Sequence, residues 1–127
     1  MNSKTILTAS ACVLGLAGIV LTFAPELGLG ALRIPAEAAS LLLAQIVGSL
    51  YFGFAMLNWM LRDGIIGGIY NRPLLVANVS HFVIAALAIL KQLSAAAGTA
   101  LWVAGGLYAL FAILFGWLLF QQPSRAA

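Results

Sequence analysis

Four long apolar runs, separated by short segments, constrain the fold of this chain more than any other feature. A hydrocarbon core about 30 Å thick needs roughly 20 apolar residues per helix. Four segments of the 127-residue chain reach that length, at residues 5–23, 36–61, 74–93 and 99–120. Only 7% of the residues are charged, whereas soluble domains carry roughly 25%. The sequence therefore predicts an integral membrane protein whose surface is covered largely by lipid.

Proline and glycine residues in the connections indicate where the helices end and begin. Pro25 follows the first run, and Pro35 and Pro73 suit the first turns of the second and third helices. Thr99 follows Gly98 and suits the cap of the fourth helix. No small-residue cleavage site precedes Pro25, so we interpret the first run as a retained helix and not as a signal peptide. The short connections predict one all-α domain, a transmembrane bundle of four helices in up-down-up-down order.

Basic residues at the ends of the runs predict the orientation of the helices. Four of them fall on the side that holds both termini and two on the other side: Lys4, Arg62, Arg72 and Arg125 against Arg33 and Lys91. Because positively charged flanks stay in the cytoplasm, both termini are predicted to be cytoplasmic. These charges form no basic stripe with interleaved aromatic residues, so a nucleic-acid partner is not expected.

The third run carries the chain's one histidine, His81, with Asn78 one helical turn before it. Ionisable groups inside membrane spans are costly and generally face the protein interior or a wet cavity. A rise of about 1.5 Å per residue places four more polar side chains within about 6 Å of the His81 level: Ser10, Ser49, Tyr51 and Tyr108. We favour the interpretation that these groups hold the bundle together, and the alternative is a ligand-binding or proton-handling pocket formed by His81, Asn78, Ser49, Tyr51 and Tyr108. In both cases we expect His81 to be neutral, turned into the bundle and hydrogen-bonded near Asn78, with Ser49, Tyr51 or Tyr108 as a partner.

The second run has two polar stripes, which are rotated by roughly 120° from each other at about 100° per residue. One contains Gln45, Ser49, Phe52, Met56 and Trp59, and the other contains Tyr51, Ala55, Asn58 and Arg62. Both stripes cannot face the third helix. One of them is therefore expected to meet another helix, a partner subunit or a ligand.

Small residues recur at helical spacing in the first and fourth runs and form a smooth face on each. Gly15 and Gly18 lie on the first face, and Gly105, Ala109, Ala112 and Gly116 lie on the fourth. Such faces let helix backbones approach closely inside a membrane. We expect the first and fourth spans to pack together through these faces, and the alternative is an interface between subunits.

No pattern in the sequence indicates an enzyme, a metal site or a cofactor. One histidine without a carboxylate at its depth does not make a metal site, and no acid–base pair lies near the midplane. The glycine-rich segment at residues 62–73 lacks the Gly-Lys-Ser/Thr of a phosphate loop. We interpret this segment as a turn that contacts lipid headgroups.

The stretch from Leu50 to Leu90 resembles a group of small four-span bacterial membrane proteins, mainly through "FGFAMLNWM" and "GGIYNRP". In span number and size, the chain is also similar to the DoxX-like family. The resemblance implies a helical bundle in the bacterial cytoplasmic (inner) membrane. The quinone chemistry of some DoxX-like proteins implies an apolar ligand.

Three functions are consistent with these observations. The leading hypothesis is an accessory or oligomeric membrane subunit that acts by binding to itself or to a larger membrane complex. The second is a lipophilic-ligand or quinone-binding protein with a pocket at His81 and Asn78. The third is a small transporter, which has less support because the runs contain no buried acidic group and no break of the kind that marks a discontinuous helix.

Overall fold

The computed structural model describes residues 2–125 and is all-helical apart from one short strand pair. Its elements in chain order are α1 Ser3–Phe23, α2 Pro25–Ala31, α3 Ala38–Leu61, β1 Ile65–Ile66, α4 Arg72–Gln92, α5 Thr99–Phe120 and β2 Ser124–Arg125. The helices α1, α3, α4 and α5 are long and apolar enough to cross a membrane. The predicted fold class, a bundle of four membrane-spanning helices, is confirmed. The chain is a small multi-pass membrane protein.

Local hydrogen bonds explain where the long helices begin. The Oδ1 atom of Asn2 accepts a 2.9 Å hydrogen bond from the backbone N–H of Thr5 and caps α1. At α3, the hydroxyl of Ser40 accepts a 2.9 Å bond from the N–H of Glu37, and the Glu37 side chain caps the same turn. This reciprocal cap starts the helix at Ala38, shortly after Pro35. Short α2 occupies the connection after Pro25 and was not predicted.

The bundle consists of two tightly packed helix pairs, α1 with α3 and α4 with α5, and the two pairs contact each other more sparsely. The α1–α3 contact is closest at Gly18 and Gly48. A Cβ atom built on Gly18 would lie 2.8 Å from the carbonyl oxygen of Gly48, and one built on Gly48 would lie 2.8 Å from the backbone nitrogen of Thr22. Only glycine permits this approach, so the pair is held by direct contact between backbones.

The expectation that α1 and α5 pack together through their small faces is wrong. Gly15 and Gly18 face α3, whereas Gly105 faces Ile89 and Leu93 at the end of α4. The reason is that the backbones of α1 and α3 meet at Gly18 and Gly48, whereas the Ile89 and Leu93 side chains cover Gly105 on α5.

The remaining small residues of α5 make weaker contacts. Ala109 and Ala112 are half-buried, and Ala112 packs against the apolar core. Apart from its own stretch of helix, no atom of residues 2–125 lies within 4 Å of a Cβ atom built on Gly116. The small face of α5 therefore serves helix packing mainly at Gly105.

One end of the bundle holds both termini of the described chain, and we call it the terminal end. The Lys4 ammonium lies 2.7 Å from the Asp63 carboxylate. Strand β1 pairs antiparallel with β2, so the chain after α5 crosses the connection between α3 and α4. The opposite end, the α2 end, carries α2 and the connection from α4 to α5. There the Arg33 guanidinium donates a 3.2 Å hydrogen bond to the carbonyl of Ala96.

Aromatic rings pack between α4 and α5. Phe82 on α4 stacks against Phe115 on α5 with centroids 5.5 Å apart and with Phe111 at 5.0 Å. Phe82 and Phe115 are fully buried, together with Leu7 and Leu75. This core lies between the terminal end and the middle of the bundle. The polar residues in the middle therefore border an apolar layer.

Candidate functional site

Two asparagines join the helix pairs within about two turns of the terminal end of the bundle. Asn58 on α3 and Asn78 on α4 are both 0% exposed. Their amides exchange two hydrogen bonds, of 2.9 Å from Asn58 Nδ2 to Asn78 Oδ1 and of 2.8 Å in the reverse direction. Asn58 Nδ2 also donates to the hydroxyl of Ser10 on α1 at 3.0 Å, and Asn78 Nδ2 also donates to the carbonyl of Leu74 at 2.9 Å. We call Asn58, Asn78 and Ser10 the amide network.

The amide network satisfies its own members and leaves none of its oxygens unpaired. The hydroxyl of Ser10 accepts from Asn58 and donates to the carbonyl of Leu7 at 3.0 Å. A fully paired polar group in a membrane interior stabilises the fold without attracting a ligand. The amide network therefore fixes α1, α3 and α4 relative to one another.

His81 lies one turn further along α4, inside a group of aromatic rings. Its imidazole stacks on Phe54 with centroids 5.0 Å apart and planes 24° apart. It meets Tyr51 at 5.5 Å, Phe82 at 5.0 Å and Tyr108 at 5.6 Å. We call His81, Tyr51 and Tyr108, which come from α4, α3 and α5, the ring cluster.

Two polar atoms of the ring cluster are buried without a hydrogen-bond partner in the part of the chain that the structure describes. They are the Nε2 atom of His81 and the hydroxyl oxygen of Tyr108. Tyr108 as a whole is 8% exposed, whereas His81 is half-buried. A buried polar group without a partner costs about 1–3 kcal/mol. The ring cluster thus has two unused hydrogen-bonding groups at the centre of the protein.

The structure brings together three of the five residues that were predicted to form the ligand pocket. His81, Tyr51 and Tyr108 meet, but Asn78 belongs to the amide network. The prediction that His81 is hydrogen-bonded near Asn78 is not met at Nε2, which has no partner among residues 2–125. The Asn78 amide is engaged by Asn58 and Leu74 through both donors and the oxygen. Ser49 was placed wrongly as well. It is exposed, and its hydroxyl donates to the carbonyl of Ile46 in its own helix at 2.7 Å.

Two grooves open at the seams between the helix pairs and reach the ring cluster from different sides. The α1–α5 groove has a volume of about 500 Å³, and its inner wall includes Tyr51 and Tyr108. The α3–α4 groove has a volume of about 450 Å³ and is lined by Phe54 and His81. Small-molecule sites typically span 300–1,000 Å³ and are mostly apolar with few polar groups. Both grooves fit that description.

No family model, curated protein or solved structure matches this chain. The resemblance to the DoxX-like family stays a prediction.

Asn58 and Phe54 were not assigned to the site from the sequence. Asn58 was placed on a polar stripe, but its pairing with Asn78 was missed. The signal was present, because both asparagines lie within about two turns of the same short connection between antiparallel helices and so at a similar depth. Phe54 carried no such signal, since a phenylalanine in an apolar run is ordinary.

The polar groups of the ring cluster can form hydrogen bonds with a ligand. A tyrosine hydroxyl donates and accepts, and an imidazole nitrogen donates or accepts according to its tautomer. Within residues 2–125, no group of three or more His, Cys, Asp and Glu side chains is placed to hold a metal ion. The cluster can therefore pair with a carbonyl or hydroxyl oxygen and place a flat ring against its own rings.

Proposed function

We propose that this protein binds a lipophilic molecule from the bilayer and holds the polar atoms of that molecule at His81 and Tyr108. The observation that carries the proposal is the pair of buried, unpartnered polar atoms, His81 Nε2 and the Tyr108 hydroxyl. A carbonyl or hydroxyl oxygen that pairs with either atom would recover the free energy that its burial costs.

The surroundings of these atoms favour a ligand that is soluble in lipid. The ring cluster lies among apolar residues and is reached through two grooves at the helix seams, and both grooves are lined mostly by apolar side chains. A strongly charged ligand would lose its hydration there without gaining a charged partner from the cluster. A neutral molecule would lose little hydration free energy there.

A flat ring with oxygen substituents fits this environment best. Aromatic side chains surround His81 with centroids 5.0–5.6 Å away, a spacing at which rings attract each other. Quinones combine such a ring with carbonyl oxygens, and the resemblance to DoxX-like proteins implies the same class. The activity that we propose is binding.

We further propose that the protein resides in the cytoplasmic membrane of a bacterium with the terminal end in the cytoplasm. The support is the distribution of basic residues between the two ends: Lys4, Arg62, Arg72 and Arg125 against Arg33 and Lys91. The hypothesis of an accessory or oligomeric subunit stays a prediction and is compatible with ligand binding.

The test is to purify the protein in mild detergent, extract it with organic solvent and identify small molecules by mass spectrometry. The unmodified protein is expected to carry a lipophilic oxygen-bearing molecule that His81→Leu and Tyr108→Phe both reduce. Ser49→Ala is the matched control, because Ser49 is exposed and bonds only within its own helix. Equal amounts of the molecule in all four proteins would contradict the proposal.

A further inference from the structure

We infer that the α1–α5 groove holds the hydrocarbon chain of the ligand, so that the ligand is a ring-bearing molecule with a long apolar tail. This inference rests on the proposed function, because it takes the ring of the ligand to lie at the ring cluster. It adds the class of ligand and assigns a second part of the site, which includes Ala17 and Ala104.

The first argument is continuity between the groove and the unpartnered hydroxyl. Tyr108, whose hydroxyl is buried without a partner among residues 2–125, also lines the α1–α5 groove, as does Tyr51. The side chain that carries this hydroxyl therefore forms part of the groove wall, and a molecule that pairs with the hydroxyl can extend from there into the groove. The α3–α4 groove is lined by His81 and Phe54 but not by Tyr108, so it reaches only the other side of the ring cluster.

The second argument is the shape of the groove. Along α1 it extends from Val13 to Leu21, about 12 Å of helix at a rise of about 1.5 Å per residue. On the other side it follows α5 from Tyr108 back to Leu101, and it reaches Leu32 after α2. The groove is therefore elongated and runs from the middle of the bundle to the α2 end. A compact ligand would fill only its inner part.

The third argument is that small residues leave the groove open. Ala17 on α1 and Ala104 on α5 both line it, about one turn or more from Tyr108 toward the α2 end. Both are half-buried, and larger side chains at these positions would occupy the groove without touching the polar atoms of the ring cluster. In a membrane, such packing rests on van der Waals contact and not on the hydrophobic effect. The groove therefore holds a tail by close fit, and a larger side chain in the groove would remove those contacts.

The experiment uses two probes that share one ring. They are a benzoquinone with a decyl chain and the same benzoquinone with a methyl group in its place, each titrated calorimetrically into the full-length protein in detergent. The quinone carbonyls can accept hydrogen bonds from Tyr108 and His81. Each probe partitions into detergent to the same extent for every variant. The ratio of the affinities of variant and unmodified protein is therefore independent of this partition.

The expected result is selective loss of the long probe. Ala17→Phe is expected to weaken binding of the decyl probe by about tenfold or more, which corresponds to about 1.4 kcal/mol, and to leave the methyl probe unchanged. Ala104→Phe, on the opposite wall, gives an independent second variant if the first one does not fold. Ala88→Phe is the matched control, because Ala88 lines the α3–α4 groove.

Three outcomes would overturn the inference. If Ala17→Phe and Ala104→Phe fold but leave both probes unaffected while Tyr108→Phe weakens both, ligand binding stands and the tail does not lie in the α1–α5 groove. Selective loss of the decyl probe in Ala88→Phe would place the tail in the α3–α4 groove instead. If the unmodified protein binds neither probe, or if Tyr108→Phe and His81→Leu change neither affinity, the proposed function itself fails.

Discussion

Asn58 and Asn78 face each other across the seam between α3 and α4 and exchange two hydrogen bonds of 2.9 and 2.8 Å. This is a direct polar link between the two helix pairs, next to the ring contacts of Tyr51 and Phe54 on α3 with His81 on α4. Because both amides are fully buried and fully paired, the link sets how the two pairs are rotated and how deep each lies relative to the other. It thereby positions His81, which is one turn from Asn78, beside Tyr51 and Tyr108.

Asn78→Leu is expected to destabilise the protein by about 1–3 kcal/mol, because it leaves the buried amide of Asn58 without its main partner. The double variant Asn58→Leu/Asn78→Leu should cost clearly less than the sum of the single variants, since it removes both amides together. Reversible unfolding in detergent measures both effects. Strict additivity would show that the two side chains do not depend on each other.

Gly18→Ala is expected to destabilise the α1–α3 pair, because its Cβ would lie 2.8 Å from backbone atoms of Gly48 and Phe52. These backbone atoms cannot move without separating the helices, so the cost is expected to reach about 1–3 kcal/mol, as for overpacking. Gly53→Ala is the matched control on α3, where a Cβ meets no described atom within 4 Å. It should be neutral or stabilising by up to about 1 kcal/mol, owing to helix propensity. Equal thermal stability of the two variants would contradict the close approach.

Tyr108→Phe should have opposite effects on stability and on ligand binding. It removes a hydroxyl that is buried without a partner in the described chain, so the ligand-free protein should become more stable by of order 1 kcal/mol. The same variant should bind the benzoquinone probes more weakly. Thermal unfolding with and without probe separates the two effects, and a loss of stability without ligand would show that the hydroxyl already has a partner.

The ion pair between Lys4 and Asp63 predicts a dependence of stability on pH at the terminal end. The hydrogen bond from Lys4, supported by the charges of Lys4 and Arg62, lowers the pKa of Asp63 below its ordinary value of 3.8. The pKa of Asp63 is lower in the folded protein than in the unfolded chain. The ion pair therefore contributes fully to stability above pH 3.8, and this contribution is lost as the pH falls through the lower pKa of the folded protein. Because Asp63 is exposed, the effect should be small and screened by salt.

The control for this dependence is Asp63→Asn. Its midpoint of thermal unfolding, followed from neutral pH to below 3.8, should fall less than that of the unmodified protein. The difference between the two proteins should shrink at high salt. Identical acid dependence in both proteins would assign the effect to another carboxylate.

Reporter fusions test the proposed orientation. A reporter placed between Ser94 and Gly98, at the α2 end, should be translocated, whereas one after Arg125 should stay in the cytoplasm. Arg62→Gln and Arg72→Gln, which remove two positive charges from the terminal end, should weaken the preference of that end for the cytoplasm. Translocation of the C-terminal reporter in the unmodified protein would reverse the orientation.

Sequence reasoning found part of the site because depth in the membrane can be counted along a helix. Counting placed Tyr51 and Tyr108 at the level of His81, and the structure brings their rings within 5.5 and 5.6 Å of it. The same count placed Ser49 there too. Ser49 and Tyr51 are separated by about 200° around α3, so they share a level but point in different directions. Depth alone could not distinguish them.

The sequence by itself determined that the chain forms four membrane-crossing helices, because the length and apolarity of each run are local properties and the bilayer is the same for all of them. It did not determine how each helix is rotated. In a soluble bundle the polar face would indicate this, but in lipid an apolar residue is equally suited to the outside and the inside. Only the tertiary structure decided it, because the approach of Gly18 to Gly48 and the pairing of Asn58 with Asn78 depend on two helices at once.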